Sequence, residues 1–190
     1  TVQPLFQTED QVHTVFTQAR IAHDTADRST GNIGFGYRNL AFDEKIIFGV
    51  NSFFDYEWPY GHQRVGAGIE VISSSIELRS NLYKGLSDWH SAAINTEERP
   101  MDGVDVELGT QVPYLPWAYM FAKHFTWNGV TDVKGQTYSV RLNPINPIII
   151  ELGHSDDDAS DESQFAEVRY RINWGGSSHK KKVKLVDDKP

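Results

Sequence analysis

Arg64-Val65-Gly66-Ala67-Gly68-Ile69-Glu70-Val71 is the stretch on which the fold turns. Val65, Ala67, Ile69 and Val71 share one face, and Arg64, Gly66, Gly68 and Glu70 share the other. Successive side chains of a strand point to opposite sides, so this alternation predicts a strand with one oily and one polar face. The division recurs outward in both directions. Ile76, Leu78 and Leu82 oppose Glu77, Arg79 and Asn81, and Val104, Val106, Leu108 and Val112 oppose Asp105, Glu107, Gly109 and Gln111. Tyr138, Val140 and Leu142 oppose Ser139, Arg141 and Asn143, and Ala166, Val168, Tyr170 and Ile172 oppose Glu167, Arg169 and Arg171. No segment carries a helical period. The pattern predicts about ten strands, near 12–23, 32–40, 45–56, 64–72, 75–84, 103–112, 117–127, 136–143, 148–154 and 164–173. Of these, 117–127 alternates poorly.

Composition narrows the class. The chain is 39% hydrophobic with a mean hydropathy of -0.47. It has no apolar run approaching the ~18 residues of a helical membrane span. A membrane barrel keeps its average hydropathy low because only alternate residues face lipid. Several predicted strands approach the ~9–11 residues that cross a bilayer at a tilt. The chain has no cysteine, which excludes disulfides and thiol chemistry, and its net charge of -8 argues against nucleic acid as a partner.

The connections carry a further signal. Long polar links at 24–31, 57–63, 84–102, 128–135 and 155–163 alternate with short ones at 41–44, 73–75, 113–116 and 144–147. Outer-membrane barrels sort their loops in this way, and a soluble β-sandwich has no reason to. Tyr56, Trp58, Tyr60, Trp89 and Trp127 fall toward the long-loop ends, and Tyr37, Phe42, Tyr114, Trp117 and Trp174 toward the short-turn ends. Two interfacial girdles of rings are expected from this sorting.

Several linked stretches then resemble a known family. Gly31-Asn32-Ile33-Gly34-Phe35-Gly36-Tyr37-Arg38 and Gly49-Val50-Asn51-Ser52-Phe53-Phe54-Asp55-Tyr56 resemble successive strands of the inverse autotransporter barrel of intimin- and invasin-type adhesins. Gly61-His62-Gln63-Arg64 running on to Glu70, Leu82 to Trp89, Glu97-Glu98-Arg99-Pro100-Met101-Asp102-Gly103-Val104-Asp105 and Tyr114-Leu115-Pro116 follow in family order. The resemblance is strongest between Phe16 and Pro116. It implies an all-β, antiparallel up-and-down transmembrane barrel of twelve strands in the Gram-negative outer membrane, with loops outside and the N-terminus in the periplasm. It also implies a C-terminal adhesin passenger exported and displayed through the barrel, with the barrel-assembly machinery and periplasmic chaperones as partners. With ten strands in view, both ends of this chain are expected on the periplasmic side. The expected division is a barrel at 1–173, lacking two strands of the family's twelve, and a Gly/Ser/Lys-rich tail or linker at 174–190.

If the apolar face meets lipid, the inward set comprises Arg20, Arg38, Arg64, Glu70, Glu77, Arg79, Asp105, Glu107, Arg141, Glu151, Glu167, Arg169 and Arg171. These residues are expected to pair and fill the interior, or to guide a polypeptide through it. Gly34, Gly36, Gly66, Gly68 and Gly109 share that face and leave room for a threaded segment or relieve crowding. Asp55 is expected to fix a loop, and Glu97-Glu98-Arg99-Pro100 to fold the longest loop back with a local salt bridge. The acidic run Asp156-Asp157-Asp158 with Asp161 and Glu162 lacks the order of a calcium loop and reads as solvated. The basic run His179-Lys180-Lys181-Lys182 also reads as a solvated tail. There is no metal-binding histidine spacing and no nucleophile elbow, so neither an enzyme nor a cofactor is expected. Two functional readings remain: an anchor and exporter of a passenger, or a passenger-less barrel serving as a structural subunit of an envelope assembly.

Overall fold

The computed structural model describes residues 2–23, 27–91, 97–145 and 147–170. Its strands are β1 (Val2–Gln7), β2 (His13–His23), β3 (Ser29–Ala41), β4 (Ile46–Trp58), β5 (His62–Ile72), β6 (Ile76–Gly85), β7 (His90–Ser91), β8 (Glu97–Glu98), β9 (Asp102–Gln111), β10 (Ala118–Asn128), β11 (Val133–Ile145), β12 (Ile148–Asp157) and β13 (Ser163–Tyr170). Apart from β7 and β8, which pair only with each other, they form one 11-stranded sheet in chain order. Every pairing is antiparallel between sequence neighbours, the up-and-down arrangement expected from the alternation.

β1 corrects the expected strand count. Its register shifts between Pro4 and Phe6, and that bulge interrupts the period of two that reveals a strand in sequence. An odd number of strands also corrects the expected placement of both chain ends on one side. Val2 lies at the rim of the 24–28 connection, and Tyr170 lies at the opposite rim.

Loop length is sorted less cleanly than expected. One rim carries connections 8–12, 42–45, 73–75, 112–117 and 146–147; the other carries 24–28, 59–61, 86–101, 129–132 and 158–162. Only 86–101 is long. The strands run on into polar segments such as His62–Gln63, Val133–Gly135 and Ser155–Asp157, which sequence alone assigns to loops. At 59–61 the chain reverses tightly after a cis Trp58–Pro59 bond, with Gly61 at a φ of 74° that suits glycine.

The packing is inverted relative to a water-soluble domain. Ile69 is 62% exposed whereas its neighbour Glu70 is 5% exposed. Val50, Leu82, Leu108 and Leu152 are likewise exposed, whereas Asp55, Asp105 and Glu151 are buried. The polar face is the concave one, because Arg20 on β2 comes within 3.8 Å of Glu167 on β13, near opposite edges of the sheet. The sheet therefore curls until its margins approach. No β1–β13 pairing is present among the described residues, so a seam remains there.

Strand tilt is visible in the register. Tyr37, Val50, Ile69, Ser80, Val106, His124, Gln136 and Asp156 form one outward row across β3 to β12. The row begins near the 42–45 rim and ends at the 158–162 rim. Rows that climb from rim to rim belong to strands inclined to the barrel axis. The apolar belt follows the rims and not the row, which is why the row turns polar at Gln136 and Asp156.

Candidate functional site

The inner wall is built from three charge clusters, each centred on a buried carboxylate. Glu70 on β5 receives Arg38 Nε at 2.5 Å and Arg38 Nη2 at 3.2 Å. Arg79 on β6 reaches the same carboxylate at 3.5 Å, and also lies 2.7 Å from Glu77 and 3.4 Å from Glu107. Asp105 on β9 accepts hydrogen bonds from Asn81 Nδ2 at 2.8 Å and from the Tyr83 hydroxyl at 2.7 Å. Glu151 on β12 accepts from Ser139 Oγ at 2.7 Å, from Arg141 Nε at 3.1 Å and from Arg169. Burying a carboxylate is costly unless donors replace its water, and each of these has at least two.

Arg64 joins the first two clusters. It donates to Asp55 at 2.9 Å and lies over the rings of Tyr83 and Trp127, while Asn32 Nδ2 donates to the other Asp55 oxygen at 2.5 Å. Asp55 is thus a buried member of the inner wall, not the loop-fixing group expected from its position after an aromatic run. On the far side, Glu167 lies 3.1 Å from Arg169 and 3.8 Å from Arg20, which carries the network across the seam. Of the residues expected inward, Arg20, Arg38, Arg64, Glu70, Glu77, Arg79, Asp105, Glu107, Arg141, Glu151, Glu167 and Arg169 stand in these pairings. Arg171 lies outside the described residues, as does Trp174.

The inward glycines are occupied by neighbouring rings and side chains. In direct cross-strand register, Phe16 covers Gly36, Phe53 covers Gly66, Phe121 covers Gly109 and Phe125 covers Gly135. Trp127 lies over Gly103 and Phe165 over Gly153 in the same way. A Cβ at any of these glycines would collide with the ring opposite. Gly68 faces Asn51 and Asn81, and Gly34 faces Gln18 and Phe53. The space they leave is therefore taken by the wall itself. Trp127 accordingly belongs to the inner wall and not to the girdle in which its position in sequence put it. Tyr37, Trp58 and Trp89 are exposed near the rims, as are Phe42, Tyr114 and Trp117.

One rim is strapped by the long connection. Arg28 donates to Glu98 at 2.5 Å, lies 3.6 Å from Glu57 and stacks over Tyr60. Glu98 beside it raises the Arg28 pKa above its ordinary value. The ion pair of this segment thus links two loops, in place of the local bridge expected within 97–100. His90 Nδ1 lies 2.8 Å from the Tyr60 carbonyl, and its ring stacks on that of His62, which is buried. In the acidic loop, Asp157 accepts from Ala159 and Ser160, and Asp158 from the Lys134 amide. These carboxylates cap their own turn. Among the described residues no set of three ligands converges on a metal position.

An inside-out, up-and-down sheet with a paired ionic interior is the architecture of an outer-membrane barrel, and comparison supplies the lineage. The family model described as "Inverse autotransporter, beta-domain" matches residues 1–185. The chain belongs to the inverse autotransporter β-domain family. Among curated relatives, an attaching and effacing protein homolog of Escherichia coli (strain K12) is 33% identical over 115 residues, covering 60% of this chain and 38% of that protein. The inverse autotransporter adhesin YeeJ of the same strain is 32% identical over 118 residues, 60% of this chain and 5% of YeeJ. The invasin of Yersinia enterocolitica is 32% identical over 91 residues, 47% of this chain and 11% of the invasin. These matches span well under half the length of each relative. A solved chain from work on the in-meso crystallization of membrane proteins superposes with a TM-score of 0.77 at 20% identity, covering 88% of this chain and 75% of that one. A BenF-like porin from Pseudomonas fluorescens Pf-5 gives 0.51 at 12% identity, covering 86% and 52%. Both structural likenesses concern fold alone. This inverse autotransporter β-domain is an outer-membrane barrel of the kind found in intimin and invasin adhesins.

Proposed function

We propose that this β-domain anchors a larger protein in the outer membrane and passes its C-terminal passenger to the cell surface through the barrel. The observation that carries this reading is the reversal of environment between Ile69 and Glu70, repeated along every full-length strand from β3 to β9. Lipid meets the apolar belt, and a hydrated, charge-paired wall faces the lumen. The twelve paired residues named above line that lumen and, with Arg171, keep it polar for an extended segment. The rim carrying 86–101 faces outward and the rim carrying 42–45 faces the periplasm, in keeping with the longer extracellular loops of such barrels.

Closure follows from strand parity. β1 and β13 run in the same direction, so one further strand, antiparallel to both, fills the seam and completes an even-numbered barrel. With β1 counted, one strand takes the place of the two expected from sequence. Residues 1–173 then belong to the barrel and 174–190 to a tail or linker. Outer-membrane lipid, the assembly machinery, periplasmic chaperones and the protein's own passenger are the partners of this reading.

The test uses the full-length gene product in its own cells. Outer-membrane fractionation, a heat-modifiable gel band and protease-accessible residues C-terminal to the barrel are the expected result. A heat-modifiable barrel with nothing exposed at the surface would favour a passenger-less structural subunit and overturn the export reading.

A further inference from the structure

Lys123 projects from β10 into the lumen between Phe121 and Phe125, on the lining of a cavity of about 200 Å³. The arginines of the inner wall are each matched to a carboxylate: Arg38 and Arg79 at Glu70, Arg64 at Asp55, and Arg141 at Glu151. Lys123 has no such match among the described residues. Glu107 stands directly opposite it in register, but Glu107 is engaged by Arg79 at 3.4 Å. The result is an ammonium group held partly out of water, three N–H donors beside a small cavity, and no protein carboxylate to receive them. The Thr137 side chain and the Phe165 ring complete the lining. Arg141 and Arg169 are neutralised locally by Glu151 and Glu167, so the unbalanced charge of this cavity is the single positive charge of Lys123.

We propose that Lys123 is a docking point for a carboxylate of the polypeptide that occupies the lumen, supplied by an aspartate or glutamate C-terminal to Tyr170. The proposal rests on the conduit reading above and adds a specific contact to it. The cavity is smaller than the several hundred Å³ typical of small-molecule pockets and suits a single side chain. An extended chain covers about 3.4 Å per residue, so fewer than about twenty residues reach from the rim at Tyr170 to any depth of the barrel. Asp187 and Asp188 already lie within that span of sequence. Such a contact would hold the segment at one height in the lumen while leaving the arginine clusters undisturbed.

A zero-length carbodiimide coupling on the full-length protein in isolated outer membranes tests this. The reagent activates a carboxyl group, the lysine nitrogen displaces it, one carboxyl oxygen leaves in the urea by-product, and an amide joins the two residues. Mass spectrometry of the digest is expected to show Lys123 joined to an Asp or Glu beyond residue 170, and Lys123→Gln should lose that product while keeping its heat-modifiable band. Coupling of Lys123 to Glu107 alone, or an uncoupled Lys123 while Lys134 on the outer side reacts, overturns the proposal. Surface proteolysis of the same cells separates the two ideas: an exposed C-terminal region with an uncoupled Lys123 removes the docking point and leaves the conduit standing.

Discussion

Ile69 and Glu70 are joined by one peptide bond and face opposite media. Substituting Arg at Ile69 or Val106 places a guanidinium against hydrocarbon at a cost of about 2–4 kcal/mol near the midplane. Folding into lipid vesicles should fall sharply for both, whereas Gln111→Arg, on the inner side, should fold like the parent. Equal losses at all three positions would sink the assignment of faces. Glu70 invites a second comparison. It is the shared acceptor of Arg38 and Arg79, so Glu70→Gln leaves two guanidiniums short of a charged partner and should cost about 2–3 kcal/mol in denaturant unfolding. Lys84 and Asp102 also pair, but the lysine is 68% exposed, and Lys84→Ala should change stability little.

Among the strands, β10 shows most plainly what alternation can and cannot reveal. Its inward positions are Tyr119, Phe121, Lys123, Phe125 and Trp127, and its outward positions include Ala122, His124 and Thr126, so its polarity pattern is scrambled. The reason is cross-strand: Phe121, Phe125 and Trp127 fill the space over Gly109, Gly135 and Gly103 on the flanking strands. A periodicity read along one strand cannot see a ring that is apolar because its neighbour is glycine. β1 stayed hidden for a different reason, its bulge at Pro4, and the polar ends of β5, β11 and β12 read as loops because they extend beyond the apolar belt. Where the outward face is uniformly oily, as from Arg64 to Val71, the strand and its facing were legible, and so was the inward placement of Glu70 and Asp105. Which guanidinium meets which carboxylate was not, since that depends on register between strands. The ring-over-glycine joints are testable as coupled pairs. Gly109→Ala should destabilise by about 1–3 kcal/mol through overpacking, and Phe121→Ala by about 3–5 kcal/mol through lost contact. The double variant should lose at least 0.5 kcal/mol less than their sum. Strict additivity would mean the two residues do not share a joint.

For the whole molecule, the odd strand count and the two rims make orientation a measurable property. The chain contains no cysteine, so a single introduced thiol reports one location. Asp27→Cys, beside the 24–28 connection, should react with a membrane-impermeant maleimide in intact cells, whereas Asp43→Cys in the 42–45 turn should react only after the outer membrane is permeabilised. The reverse pattern would invert the proposed orientation.

The aromatic joints also carry a spectroscopic consequence. A proton held against the face of a benzene ring is shielded by the ring's circulating electrons. The α-protons of Gly36, Gly66, Gly109 and Gly135 lie beneath Phe16, Phe53, Phe121 and Phe125. In a micelle or nanodisc, the folded barrel should therefore display a small group of glycine resonances far upfield of the usual range. Each such line marks two adjacent strands locked in register, so the order in which the lines appear during refolding would record the order in which the wall assembles.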